Sequence, residues 1–160
     1  MAKVKPIPEG HNTVSPYLIV DGAARALEFY KTAFEATELF RHVAPNGKIG
    51  HAEIRIGDTV IMLADVHPDH DAHGPRHYGG SPVSLHLYVE DVDNVAQRAV
   101  AAGAKVKRPV ADQFYGDRLG TLEDPFGHTW HVSTHIEDVS KEELDRRAAA
   151  AMKEQTKPRS

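Results

Sequence analysis

Eleven of the 160 residues are histidine, the side chain that ligates metals and moves protons near neutral pH. Three of them, His128, His131 and His135, fall in the run DPFGHTWHVSTH at the spacing H-x-x-H-x-x-x-H. Four more, His67, His70, His73 and His77, share residues 65–82 with Asp65, Asp69 and Asp71, which is the composition of a metal-scavenging tract. His51 and Glu53 stand two apart, so on a strand they would share a face and could act as an acid–base pair or sit as a solvated polar cluster. Asp117-Arg118 offers a guanidinium for an anionic ligand, or a rim salt bridge worth about 0–1 kcal/mol. Cysteine is absent, which excludes disulfides, thiolate zinc sites and thiol nucleophiles. No Ser-His-Asp set, glycine-rich phosphate loop or dinucleotide fingerprint occurs.

What these side chains can do depends on the elements that carry them. Residues 13–21 alternate and are rich in β-branched residues, which predicts a strand with Pro16 near its start. Residues 22–34 place apolar side chains at helical spacing and predict an amphipathic helix. Strands follow at 37–44, 50–56 and 59–65, the first two joined through Asn46-Gly47 and the last two through a Gly57-Asp58 hairpin turn. Residues 65–82 break the pattern as a polar Gly/Pro-rich loop, mobile for want of apolar anchors and a candidate lid over a pocket. The order then repeats: a strand at 83–91, a helix at 92–103, and strands at 105–110, 116–124 and 128–135. Ser15 to Asp21 matches Ser84 to Glu90 in register, which argues for an internal duplication. Ser140-x-x-Glu143 is a capping box opening a last helix, with a thin apolar face of Leu144, Ala148, Ala151 and Met152 expected to lie on the surface or on a partner subunit; residues 156–160 are expected to fray.

The expected class is therefore α+β: two paired βαβββ modules (1–64 and 83–136) around a linker (65–82), with a C-terminal helix and tail (137–160), in one structural domain. The composition, 41% hydrophobic and 26% charged, is that of a globular protein, and a net charge of −4 without a basic stripe argues against a nucleic-acid partner. The N-terminal residues lack the apolar stretch of a signal peptide, and no apolar run approaches the roughly 20 residues of a membrane helix, so a cytoplasmic location and no membrane partner are expected.

YLIVDGAARALEFYKTAF, GHAEIRIGDTVIMLAD, SLHLYVEDVD and DPFGHTW, in that order, resemble the vicinal oxygen chelate superfamily of glyoxalase, bleomycin-resistance and dioxygenase proteins, most of all its PhnB-like branch. The resemblance covers about residues 13–136, and departs at Glu35, where a helix-ending glycine is usual. It implies that each module's sheet carries a helix on one face and lines a cavity with the other. It also implies metal ligands on the first and last strand of each module, which here fall on Ser15, Met62, Ser84 and His131. Of these only His131 is a good transition-metal ligand.

Strand parity assigns the faces, because residues i and i+2 share one. Val14, Pro16, Leu18 and Val20, and likewise Val83, Leu85, Leu87 and Val89, should pack under the helices. In the hairpin the core face is Ala52, Ile54, Ile56, Ile61 and Leu63; in the last strand it is Trp130 and Val132. The opposite faces collect a candidate pocket of Ser15, Tyr17, His51, Glu53, Met62, Ser84, His86 and His131, with Arg118 on its rim and Phe114 and Tyr115 available to stack on a planar ligand. The strand period also separates His128 from His131, so these two should not chelate together.

Two functions compete. The favoured expectation is a small-molecule-binding protein that sequesters or carries its ligand, with no cofactor and no metal site, as the resemblance to bleomycin-resistance proteins implies. The alternative is a metal-dependent glyoxalase-like lyase, isomerase or dioxygenase, with a divalent metal relocated to His86 and His131 and Glu53 as third ligand. The resemblance implies a homodimer in either case.

Overall fold

A computed structural model describes residues 4–155. The chain runs β1 (Tyr17–Val20), α1 (Ala23–Phe34), β2 (Thr37–Val43), β3 (Ile49–Ile56), β4 (Thr59–Asp65), then β5 (Ser84–Tyr88), α2 (Val92–Ala101), β6 (Lys105–Asp112), β7 (Asp117–Glu123), β8 (Thr129–His135) and α3 (Lys141–Gln155). Two four-stranded sheets result, ordered β1-β4-β3-β2 and β5-β8-β7-β6, the same topology twice. In each the first strand runs parallel to the last and the other pairs are antiparallel. The expected α+β class of two βαβββ units and a C-terminal helix is the one observed.

The hairpin register is as the turn dictates: Ile56 faces Thr59, Ile54 faces Ile61 and Glu53 faces Met62. Gly57, at φ 58°, supplies the positive φ that the first turn residue needs. Parity fails only at two strand starts. Val14 and Val83 are 81% and 68% exposed. Pro16 has no N–H, so the ladder of β1 begins with its carbonyl accepting from Met62 N–H, and the residues before it leave the sheet. Val83 is held outside β5 by the Ser81 hydroxyl, which accepts from its N–H at 3.2 Å.

Each module caps its own helix from its last strand. Asp65 ends β4 and accepts from the N–H groups of Gly22 and Ala23 at the start of α1, while its other oxygen accepts from Ile49 N–H. Asp65 is thus fully occupied within the first module and is no member of a metal-scavenging loop. Thr134 of β8 accepts from Val92 N–H in the same way. At its other end α1 stops on Glu35, at φ 56° and ψ 34°, the left-handed conformation that glycine adopts without cost.

A single core joins the modules. Tyr30 and Phe34 of α1 lie against Trp130 of β8, with Phe34 and Trp130 ring centroids 4.7 Å apart. The buried Asp124 carboxylate accepts from Tyr30 Oη (2.6 Å), Trp130 Nε1 (3.0 Å) and the N–H groups of Phe126 (2.9 Å) and His128 (3.0 Å). The turn 124–127 therefore does more than set the register of β8: it ties the second module to the helix of the first. Arg98 of α2 donates to the Ala33 carbonyl and adds a second tie.

The linker is folded. It makes two 3-10 turns, Pro68–His70 and Pro75–Tyr78, with Pro75 buried and Arg76 donating to the Pro125 carbonyl at 2.7 Å. Its histidines associate as two ring pairs, His67 with His70 and His73 stacked on His77 at 3.8 Å. These anchors come from proline and ring packing, which a polar composition hides. Helix α3 opens with Glu143 N–H donating to the Ser140 hydroxyl and buries no residue. Its half-buried stripe is Glu143, Leu144, Arg147, Ala148 and Ala151, whereas Met152 is 70% exposed and lies off it. Residues 156–160, expected to fray, lie outside the described residues.

Candidate functional site

The sheet face away from α1 carries a continuous hydrogen-bonded chain. Tyr17 Oη lies 2.9 Å from His51 Nδ1, His51 Nε2 lies 3.2 Å from Glu53 Oε1, and Glu53 Oε2 lies 3.1 Å from His11 Nε2. Three of these four come from alternate positions of β1 and β3, as parity requires. His11 comes from the segment before β1, where no periodicity marks it. Burial raises the Glu53 pKa, but the hydrogen bonds from His51 and His11 outweigh it and hold the carboxyl below its ordinary value. Burial raises the Tyr17 hydroxyl. Met62 of β4 lies beside Tyr17 in the parallel register.

The second sheet presents His86 and His131 side by side, paired in register with ring centroids 6.1 Å apart. Each imidazole already has a hydroxyl partner: His86 Nε2 is 2.7 Å from Ser133 Oγ, and His131 Nδ1 is 2.9 Å from Thr121 Oγ1. Burial, then the neighbouring His86 and Arg108, lower the His131 pKa. Further along this face Tyr88 Oη donates to the buried Asp117, whose other oxygen accepts from His135 Nδ1 at 2.7 Å. His135 also donates from Nε2 to Asp138, so both ring nitrogens face carboxylates and its pKa is raised, by Asp117 first. His128 points elsewhere and hydrogen-bonds the Ile19 carbonyl at 2.9 Å, bridging β8 to β1. The three-histidine run is thus divided among three separate tasks.

Between the free edges of β1 and β5 lies a groove of about 990 Å³, within the range of small-molecule sites. Ser15, Tyr17, Ser84, His86 and Tyr88 supply polar lining together with Asp58, Thr59, Ser81 and His128, and Leu18, Ile61, Leu85, Leu87 and Trp130 form an apolar floor. Four of the candidate pocket residues meet here. His51, Glu53, Met62 and His131 lie on the adjoining open faces, outside the groove wall. Arg118 belongs to neither: it forks onto Asp93 of α2 at 2.7 and 2.9 Å and onto Asp112, on the helix side of its sheet. The hydrogen bonds to Asp93 and Asp112 raise its pKa further, which leaves a satisfied rim cluster. Phe114 and Tyr115 pack edge-on against each other at the turn before β7, beside α3, which takes them away from the groove. Linker residues His67 and His70 border a different hollow of about 400 Å³ near Lys48 and Asp65. A hollow of about 700 Å³ beside Arg25 and Phe126 holds none of the candidate residues.

A family model described as Glyoxalase/Bleomycin resistance protein/Dioxygenase superfamily matches residues 11–132. This chain belongs to that superfamily. A Mycobacterium tuberculosis protein, Rv0887c, is 44% identical over 134 residues, which is 82% of this chain and 79% of that protein. Among solved structures, protein PA1353 from Pseudomonas aeruginosa is 26% identical with a TM-score of 0.62, covering 79% of this chain and 99% of that one. The PhnB protein from Bacillus cereus shares the fold at a TM-score of 0.62 and 18% identity, over 77% of this chain and 99% of that one. The superfamily resemblance implies ligands at Ser15, Met62, Ser84 and His131. Ser15 precedes β1, Ser84 sits opposite Thr129, and Met62 and His131 lie beside Tyr17 and His86. Two neutral hydroxyls, a thioether and one imidazole do not make a transition-metal donor set. Among the described residues no group of three or more His, Cys, Asp or Glu is arranged to hold a metal ion. Among them, too, no helix is long and apolar enough to cross a membrane.

Proposed function

We propose that this superfamily member binds a small organic molecule in the groove between β1 and β5, and carries or sequesters it without a metal at the usual ligand positions. One observation carries the reading: Ser15, Met62 and Ser84 stand where metal-using members would supply ligands, while the groove beside them keeps a polar wall over an apolar floor. The aromatic surfaces of Tyr17, His86, Tyr88 and Trp130 favour a planar, largely apolar ligand with one or two polar groups. A thermal-shift screen against small planar compounds tests it. A ligand at 100 times its Kd stabilises by about 2.7 kcal/mol. The expected result is a set of hits lost in Ser84→Trp, which fills the groove from an exposed position. Hits that Ser84→Trp binds equally well would contradict the groove as the site.

A second reading rests on the His86–His131 pair, whose facing imidazoles could hold two positions of a divalent metal in a glyoxalase-like lyase, isomerase or dioxygenase. Glu53, the expected third ligand, sits on the first sheet between His51 and His11 and does not join them. We also propose that two copies pair. Phe40 and Val43 of the outer strand β2 are each 51% exposed, apolar side chains that a second copy would cover.

A further inference from the structure

The chain Tyr17–His51–Glu53–His11 has a fixed polarity. Glu53 is ionised and accepts only, so His51 Nε2 and His11 Nε2 must each carry the proton they share with it. With that proton on Nε2 and no second one, His51 offers a bare Nδ1, to which the Tyr17 hydroxyl donates at 2.9 Å. Tyr17 is the one member that also lines the groove. Its hydroxyl proton goes to His51, and its oxygen keeps lone pairs free to accept.

We propose that these residues form a proton relay opening into the groove at Tyr17, and that the groove takes a weakly acidic ligand, one with an ionisable O–H or N–H. The step balances internally. The ligand proton passes to Tyr17 Oη as the Tyr17 hydroxyl proton passes to His51 Nδ1; the ligand is left as the anion and His51 becomes an imidazolium against the Glu53 carboxylate. The reverse transfer restores the starting state, and no co-reactant is consumed. Tyr17 exchanges the proton with the ligand, His51 stores it, and Glu53 and His11 are positioning residues. Other charged or titratable groups facing His51 are His42, opposite it on β2, and Arg55, on the same face of β3. Burial keeps Tyr17 protonated at neutral pH, as a donor to His51 must be. The relay adjoins two of the positions where metal-using relatives would place ligands: Met62 stands in register with both Tyr17 and Glu53, and Ser15 lies two residues before Tyr17.

The inference rests on the groove being a ligand site, so the test separates the two. The probe is 4-nitrophenol, a weak acid whose anion absorbs visible light, bound to the full chain. In the wild type, one pH unit below the dye's own pKa, the bound dye should be ionised about fivefold more than free dye. His51→Gln should still bind it but lose that increase, and Tyr17→Phe should do the same. Nitrogen-15 imidazole spectra without ligand should show His51 protonated at Nε2 and bare at Nδ1, in Glu53→Asp as in the wild type. Binding that survives Ser84→Trp would overturn the groove reading. Binding confined to the groove with the dye no more ionised than in water, or failure of the wild type to bind it, would overturn the relay's ligand class. A His51 protonated at Nδ1 would overturn the relay itself.

Discussion

Replacing Asp124 by asparagine tests the joint between the modules with a single-atom change. Its Oδ1 accepts from the backbone of Phe126 and His128, and its Oδ2 from Tyr30 Oη and Trp130 Nε1, all in a site that is 2% exposed. In Asp124→Asn the amide oxygen must stay with the two backbone N–H groups, so the NH₂ replaces Oδ2. The Tyr30 hydroxyl can rotate and accept, but the indole N–H cannot, and two donors then face each other at about 3 Å. One unsatisfied buried donor costs about 1–3 kcal/mol, and loss of the charge-assisted bonds adds to it, so about 2–4 kcal/mol is expected. Asp124→Ala strands all four donors and should cost more, a large part of the 5–15 kcal/mol that a domain has in total. Urea unfolding followed by far-ultraviolet circular dichroism measures both. Adding Trp130→Phe removes the opposing N–H, so Asp124→Asn should cost less in that background than in the wild type. A cost below about 0.5 kcal/mol for Asp124→Asn, or no coupling to Trp130, would mean that Asp124 does not hold the modules together through the indole N–H.

Glu35→Gly should stabilise by about 0.5–1 kcal/mol in the same assay, because glycine takes the left-handed C-cap without strain and the exposed Arg98 contact it removes is worth little. His135 should stabilise the fold at acid pH: its folded pKa is raised by Asp117 and Asp138, so the contribution is present below the unfolded value near 6.5 and disappears as pH rises through the folded value. The stability gap between wild type and His135→Asn should therefore close with rising pH; a gap that widens would be the wrong sign. Light scattering on a sizing column should report two copies per particle, and Phe40→Glu with Val43→Glu should shift it to one.

The architecture was legible because alternation and helical spacing are local. Gly57-Asp58 fixed the hairpin register, and both helix faces could be read from the spacing of their alanines, valines and aromatics. The two failures of parity, Val14 and Val83, sit at strand ends, where Pro16 and Ser81 decide when pairing begins. The candidate site was legible face by face but not in its connections. Parity put Tyr17, His51 and Glu53 together, yet the fourth member, His11, lies in a segment with no period. Arg118 went to the helix side because Asp93 and Asp112 offered a fork geometry that only the folded chain displays. Asp124 looked like a turn residue because its partners are far away in sequence, Tyr30 above all. The linker's order depends on Pro75 and on ring-to-ring packing of its histidines, neither of which its polar composition signals.

The most direct test of a metal-free binding protein is elemental analysis of untagged protein, purified without chelators and again after incubation with zinc, nickel, iron or manganese. A substoichiometric content of every transition metal is expected, unchanged in the His86→Ala/His131→Ala double variant. One metal ion per chain, lost in that variant, would contradict it and move the chain to the metal-dependent branch of its superfamily.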